Sequence, residues 1–199
     1  MPDANRDIYD RRARQWLAKG FTSALAPEDA ARMLAFIRLS GRATPRLMVC
    51  GSRAGLFAKV AAEHGSVSTC VDFSAAALKL HRRQFSEINT VCADVRTLPF
   101  TLSSFDGLWT DSLLSRIPRT EFEAVALELR RVLRPGGLLS ARISIGDGEA
   151  KENSEHGQLL RSYWREENLR GALDLLDYGF SEAESLGVGR AVLTFRREY

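Results

Sequence analysis

The chain has 199 residues, of which 45% are hydrophobic and 27% charged, and its 28 basic and 25 acidic side chains leave a formal net charge of +3. Length and apolar content suit one domain burying roughly 70% of its unfolded surface, and the interspersed charges exclude a disordered, single-sign chain. No Lys/Arg run is interleaved with aromatics, which disfavours nucleic acid as a partner, and no stretch of about 18 apolar residues suits a membrane span.

Met1-Pro2-Asp3 opens a polar segment without an apolar signal core, so a cytoplasmic protein is expected. Cys50, Cys70 and Cys92 each sit in an apolar run and form no C-x-x-C pair. They read as buried, reduced thiols rather than a disulfide or zinc site, and no metal is expected.

Asp7 to Lys19 is predicted to be helical, with Ile8, Trp16 and Leu17 on one face and Gly20 as its stop. Pro27-Glu28-Asp29 opens a second helix that continues through Met33, Leu34, Phe36 and Ile37 to Gly41, since proline and acids suit the positive end of a helix. Residues 1–42 thus form an N-terminal helical cap preceding a core at 46–197, within a single domain spanning 1–199. Tyr9 and Trp16 of the cap are placed to wall a ligand.

Arg46 begins a short apolar strand that breaks at Gly51-Ser52-Arg53-Ala54-Gly55 and resumes as a helix with Leu56, Phe57, Val60 and Ala61 at the helical period. Gly65 stops that helix. Val67 to Asp72 is a second strand, Ser74 an N-cap, and Ala77, Leu78, Leu80 and His81 continue a helix. Thr90 to Ala93 is a third strand ending in Asp94, and Phe105 to Thr110 a fourth. Thr120 with Glu123 reads as a capping box for a helix running to Leu133. Arg134-Pro135-Gly136-Gly137 turns the chain into a fifth strand, Leu138 to Ile145.

The pattern then changes. Gly146 to His156 is polar and loop-like, Glu166 to Tyr178 a helix ended by Gly179, and Ser181 to Val188 and Arg190 to Arg197 two strands joined at Gly189 as an antiparallel hairpin. Strands alternating with helices of about a dozen residues indicate right-handed crossovers and a mostly parallel α/β sheet that finishes in one reversed strand. His64 and His81 are expected at the surface.

A strand, a glycine turn and a helix leave backbone N–H groups pointing out of the carboxyl edge of the sheet, where open α/β folds hold nucleotide-like ligands. Asp72 stands about 20 residues beyond the turn, placed to accept hydrogen bonds from ribose hydroxyls. Asp94 ends the next strand on the same edge, within reach of an adenine amine. Gly51 and Gly55 let the backbone approach without Cβ clashes.

In these residues the chain resembles the class I S-adenosylmethionine-dependent methyltransferases, of the small bacterial type. The likeness is carried by Gly51-Ser52-Arg53-Ala54-Gly55, Val71-Asp72-Phe73-Ser74, Ala93-Asp94-Val95-Arg96-Thr97-Leu98-Pro99-Phe100, Ser104-Phe105-Asp106, Arg131-Val132-Leu133-Arg134-Pro135-Gly136-Gly137, and the closing Gly179-Phe180 hairpin. It implies a Rossmann-like three-layer α/β/α sandwich with a seven-stranded sheet, and S-adenosyl-L-methionine as cofactor. Cofactor contacts are then expected from Gly51, Ser52, Arg53, Gly55, Asp72, Phe73, Asp94, Val95 and Thr110.

The resemblance also has departures. Val49 stands where relatives carry an acid, Arg53 replaces the middle glycine, and Ser115-Arg116-Ile117-Pro118 lacks a histidine common in relatives. Arg53 reads equally as a ligand contact, a plug in the pocket, or a solvated loop side chain. The expected reaction is methyl transfer by in-line displacement onto a small-molecule acceptor; the leading alternative is a degenerate module that binds cofactor weakly or not at all and serves as a structural or regulatory partner, and a nicotinamide-dependent oxidoreductase is a third reading, against which the Asp94 and Leu98-Pro99-Phe100 region and the terminal hairpin argue. Asp111, Glu149 and His156 are candidate bases, and spacing singles out none of them as catalytic.

Overall fold

The computed structural model describes residues 3–18, 24–51 and 54–199. The roles expected of Ser52 and Arg53, the stop at Gly20 and the side chains of Trp16 and Leu17 lie outside the described residues. Two helices, α1 (Asp3–Ala18) and α2 (Pro27–Leu39), precede the sheet. Then come β1 (Arg46–Gly51), α3 (Ala54–Glu63), β2 (Val67–Asp72), α4 (Ala75–Gln84), β3 (Asn89–Cys92) and β4 (Phe105–Asp111). The remainder is α5 (Phe122–Val132), β5 (Leu133–Ile145), β6 (Glu149–Ser154), β7 (Gly157–Trp164), α6 (Glu166–Asp174), β8 (Tyr178–Ser185) and β9 (Arg190–Arg197).

The parallel strands run in the order β3-β2-β1-β4-β5, and β9 lies antiparallel to both β5 and β8, as the reversed strand of the sequence pattern requires. Alternate residues of the central strands face opposite layers. Met48 and Leu108 enter one core with Val125 and Leu129 of α5 and Leu169 of α6; Val49 and Trp109 enter the other with Phe36 of α2 and Phe57 of α3. Both faces of β1 are therefore buried, which is why it reads as an uninterrupted apolar run. Trp109 packs between Phe36 and Phe57, its ring centroid 5.3 Å and 5.1 Å from theirs.

The sheet has nine strands among the described residues, rather than seven. The additions are β6 and β7, an antiparallel hairpin joined to the sheet only where Ser144 and Ile145 of β5 pair with Tyr163 and Trp164. The stretch expected as a loop is thus largely the strand β6. Its sequence, E-A-K-E-N-S, is solvent-exposed along most of its length, so no face is buried to impose an apolar alternation on it.

Other boundaries differ for local reasons. Thr120 lies in a 3₁₀ turn, and the N-cap of α5 is Glu121 without a side-chain cap bond, so the capping box does not form. Strand β5 begins before Pro135-Gly136-Gly137, with a register irregularity opposite Phe105–Gly107. Asp177, at φ 55°, ends the α6 region in the left-handed conformation, so Tyr178 and Gly179 belong to a strand rather than to the helix. Cys92 is exposed, because β3 is the sheet's edge strand, whereas Cys50 and Cys70 are buried. No helix among the described residues is long and apolar enough to cross a membrane.

Helix α1 and the β6–β7 hairpin meet over the carboxyl edge of the sheet. Gln15 Oε1 lies 3.0 Å from His156 Nε2, and the Ile8 side chain lies against Gly157. At its other side α1 is tied to α4, where Ser74 Oγ donates to Asp10 Oδ1 at 2.5 Å while accepting from the Ala77 N–H at 3.0 Å. A roof of two unrelated elements results.

Candidate cofactor and acceptor site

Under this roof lies a cavity of about 380 Å³ bounded by the ends of β1, β2 and β4 and by the segment after β3. The β1 end explains why its last residue is glycine. Gly51 sits at φ +117° beside Asp111 of the adjacent β4, and a Cβ there would stand 2.1 Å from the Asp111 carbonyl oxygen. Only glycine permits that approach. Gly55 serves a different contact: a Cβ would lie 2.2 Å from His81 Nδ1, so this glycine lets α3 pack on α4 rather than opening the cavity, which it does not line. His81 is accordingly buried, contrary to the surface position expected, and burial lowers its pKa to about 4.

Of the expected cofactor contacts, Gly51, Asp72, Phe73, Asp94 and Val95 are brought together on the cavity wall. Thr110 is not among them. Its hydroxyl donates to the Ser140 carbonyl of β5 at 3.1 Å inside the core, because side chains alternate along β4 and the cavity belongs to its neighbour Asp111. Asp72 accepts the Ser74 N–H at 2.7 Å. Burial, opposed by backbone hydrogen bonds and reinforced by the nearby Asp10, pushes its carboxyl up to about 7.

Asp94 has the opposite electrostatics. Burial would raise it, but the Arg96 guanidinium, at 3.0 Å and 2.7 Å from its two oxygens, together with the Arg96 N–H at 3.0 Å, brings it down to about 2. Asp111 is paired with Arg142 Nε at 3.1 Å. Arg142 also bonds Asp29 of α2, and Asp29 pairs with Arg32 at 2.9 Å, which binds Glu184 of β8 at 2.8 Å. The cavity floor is thus tied through buried ions to α2 and, through the exposed Arg32–Glu184 pair, to β8.

On the outer side, Tyr9 lines the cavity with its ring 5.5 Å from that of Phe73, edge to face. Burial raises its phenol pKa, with Arg116 the strongest opposing charge, so it stays protonated and available as a donor. Glu149 and His156 do not line the cavity. The Glu149 carboxylate accepts from the Arg119 N–H and Ser162 Oγ, and His156 faces Gln15. Asp111 is the one candidate base on the wall.

Sequence reasoning missed Arg12 and Arg190 and did not single out Arg161, all of which also line the cavity. Arg12 follows Tyr9 by three positions and so shares its helix face, a readable signal; Arg161 and Arg190 are delivered by strands whose neighbours over the cavity no local pattern announces. Among the described residues no group of three or more His, Cys, Asp or Glu side chains is arranged to hold a metal.

The residues present fit S-adenosylmethionine. The cavity volume lies in the range of small-ligand sites, the Asp72 carboxylate at its wall is an acceptor suited to ribose hydroxyls, and Phe73, Ala93, Val95 and Leu113 offer apolar surface for a base. Comparison with known proteins agrees with this geometry. A family model described as Methyltransferase domain matches residues 48–141. Over 128 residues the chain is 32% identical to the malonyl-[acyl-carrier protein] O-methyltransferase of Enterobacter lignolyticus (strain SCF1), a match covering 64% of this chain and 47% of that protein. The chain therefore spans about half the length of that relative.

Among solved structures, the 1,6-didemethyltoxoflavin-N1-methyltransferase of Burkholderia thailandensis, with bound 1,6-didemethyltoxoflavin and S-adenosylhomocysteine, superposes with a TM-score of 0.74 at 18% identity, covering 100% of this chain and 91% of that one. A SAM-dependent methyltransferase of Methanosarcina mazei gives 0.73 at 16% identity, covering 88% and 99%. The motif order, the sheet with its reversed strand and the match over residues 48–141 agree: the chain is similar in domain and fold to S-adenosylmethionine-dependent methyltransferases.

Proposed function

We propose that this protein binds S-adenosylmethionine across Gly51, Asp72 and Asp94 and methylates a small-molecule acceptor. The observation that carries the reading is the convergence of the Gly51 turn and the Asp72 and Asp94 carboxylates on one roofed cavity. In this reading Asp72 accepts the ribose hydroxyls, Phe73 and Val95 flank the base, and Asp94 with its adjoining backbone meets the adenine edge. The cofactor supplies an already activated methyl group, so positioning of the acceptor contributes much of the rate. Helix α1 and the β6–β7 hairpin exclude water from the acceptor side, and Asp111 is within the cavity to take a proton if the acceptor carries one. The names of the relatives, an O-methyltransferase and an N-methyltransferase, support a heteroatom acceptor.

A second reading, a module that does not use the cofactor, draws on Val49. This residue is fully buried against the α2–α3 core, at the position where the family resemblance leads one to expect an acid. Calorimetric titration with S-adenosylmethionine, S-adenosylhomocysteine and NADH separates the two. Micromolar binding of the first two, lost in Asp72→Ala, supports the enzyme; no heat from any supports the module, and a response to NADH alone overturns both.

A further inference from the structure

The outer wall of the cavity carries more positive charge than the cofactor's nucleoside half explains. Arg12 of α1, Arg116 after β4, Arg161 of β7 and Arg190 of β9 line it, four guanidinium groups from four separate elements. The acids on the wall offset them weakly: Asp94 is engaged by Arg96, Asp111 by Arg142, and Asp72 is held partly protonated by burial near neutral pH.

Arg116 and Arg161 already display a grip on a carboxylate. Arg116 Nη1 lies 3.4 Å from Glu152 Oε2 and 2.9 Å from the Leu160 carbonyl. Arg161 bonds Glu152 Oε1 through Nε and Ser144 Oγ through Nη1 at 2.8 Å. The Tyr163 hydroxyl adds a contact to the same carboxylate at 3.4 Å. Two guanidinium groups thus share one internal anion, and their Nη2 groups donate to no acceptor among the described residues. Beside them the Tyr9 hydroxyl lines the cavity without a hydrogen bond to any described residue.

We propose that Arg116 and Arg161, with Tyr9, form an acceptor subsite for a carboxylate-bearing small molecule, and that Glu152 is the internal carboxylate it must share. Planar guanidinium forks match a carboxylate with two parallel donors, and a protonated phenol adds a third. Glu152, on the exposed strand β6, competes for the same donors and sets the affinity. The inference rests on the methyltransferase reading only for what the bound acceptor is for; anion binding at the subsite is measurable without it.

The test uses octanoate and benzoate as probes, each against its neutral amide, with inorganic phosphate as a separate arm, titrated into the full chain with and without saturating S-adenosylhomocysteine. The expected result is millimolar binding of the carboxylates, at least tenfold weaker binding of the amides, and little response to phosphate. Arg161→Gln should weaken carboxylate binding at least fivefold while S-adenosylhomocysteine affinity changes less than twofold. Glu152→Gln should tighten carboxylate binding severalfold, a gain that misfolding cannot produce.

Equal binding of acids and amides, phosphate binding in place of carboxylate, or no gain in Glu152→Gln overturns the proposal. So does a loss of S-adenosylhomocysteine affinity in step with carboxylate in Arg161→Gln, which would assign the arginines to the cofactor's own carboxylate. Silence toward S-adenosylhomocysteine with the carboxylate pattern intact would sink the methyltransferase reading and leave the subsite standing.

Discussion

Replacing Asp72 by asparagine should make the protein more stable and a poorer ligand binder. The carboxyl is raised from 3.8 to about 7, first by burial and then by the neighbouring Asp10, against the hydrogen bonds from Ser74 and Phe73. A raised acid binds more protons folded than unfolded between those two values, so its ionisation costs stability progressively as pH rises through that window, and the full cost is present above pH 7. Conversion of about three pKa units gives at most about 4 kcal/mol. Because the side chain meets the cavity, screening reduces this to about 1–2 kcal/mol.

Asparagine keeps the shape and the oxygen that accepts the Ser74 N–H at 2.7 Å. Thermal unfolding at pH 8 should therefore show Asp72→Asn melting about 2–6 °C higher, with the gap closing toward pH 5. Calorimetry on the same variant should show S-adenosylhomocysteine binding at least tenfold weaker, as expected for losing about 1.5–3 kcal/mol of hydrogen bonding to a charged acceptor. A variant that is no more stable at pH 8, or whose advantage persists unchanged at pH 5, refutes the reasoning that this acid is kept for a ligand at a cost in stability.

Gly51→Ala places a Cβ 2.1 Å from the Asp111 carbonyl at φ +117°; it should cost roughly 3 kcal/mol or more in chemical denaturation and abolish S-adenosylhomocysteine binding. Gly55→Ala should be rescued in part by truncating His81, whose ring it would strike, and a double-mutant cycle should give a coupling of about 1 kcal/mol or more. His81, lowered to about 4 by burial, stays neutral in the fold while the unfolded chain protonates near 6.5, so stability is lost as pH falls through 6.5 toward 4. His81→Gln should flatten that acid limb in urea titrations. Arg142→Met, which removes the buried cation paired with both Asp29 and Asp111, should destabilise by roughly 3 kcal/mol in the same assay.

The first strand with its closing glycine, the helix after it, Asp72 at the end of β2 and Asp94 just beyond β3 were legible because each depends on neighbours in the chain. A glycine needed at positive φ, an N-cap such as Ser74 and a β-strand buried on both faces leave local marks in residue type and spacing. Those marks located Gly51, Asp72 and Asp94. They did not distinguish Gly55, whose missing side chain makes room for His81 on another helix, nor Thr110 from Asp111, since one residue along a strand reverses the face presented. The β6 strand escaped because its pairing is wholly with β7 and its side chains are solvated.

Local sequence thus determined most of the order of strands and helices and the edge of the sheet at which Gly51, Asp72 and Asp94 meet the cavity. Only the tertiary structure decided what closes over that edge, because α1 and the β6–β7 hairpin lie far apart in sequence and meet through contacts such as Gln15 with His156. The cationic character of the cavity's outer wall arises the same way: four arginines on four elements converge only when the sheet and its roof are assembled, and nothing in the residues flanking each one records the other three.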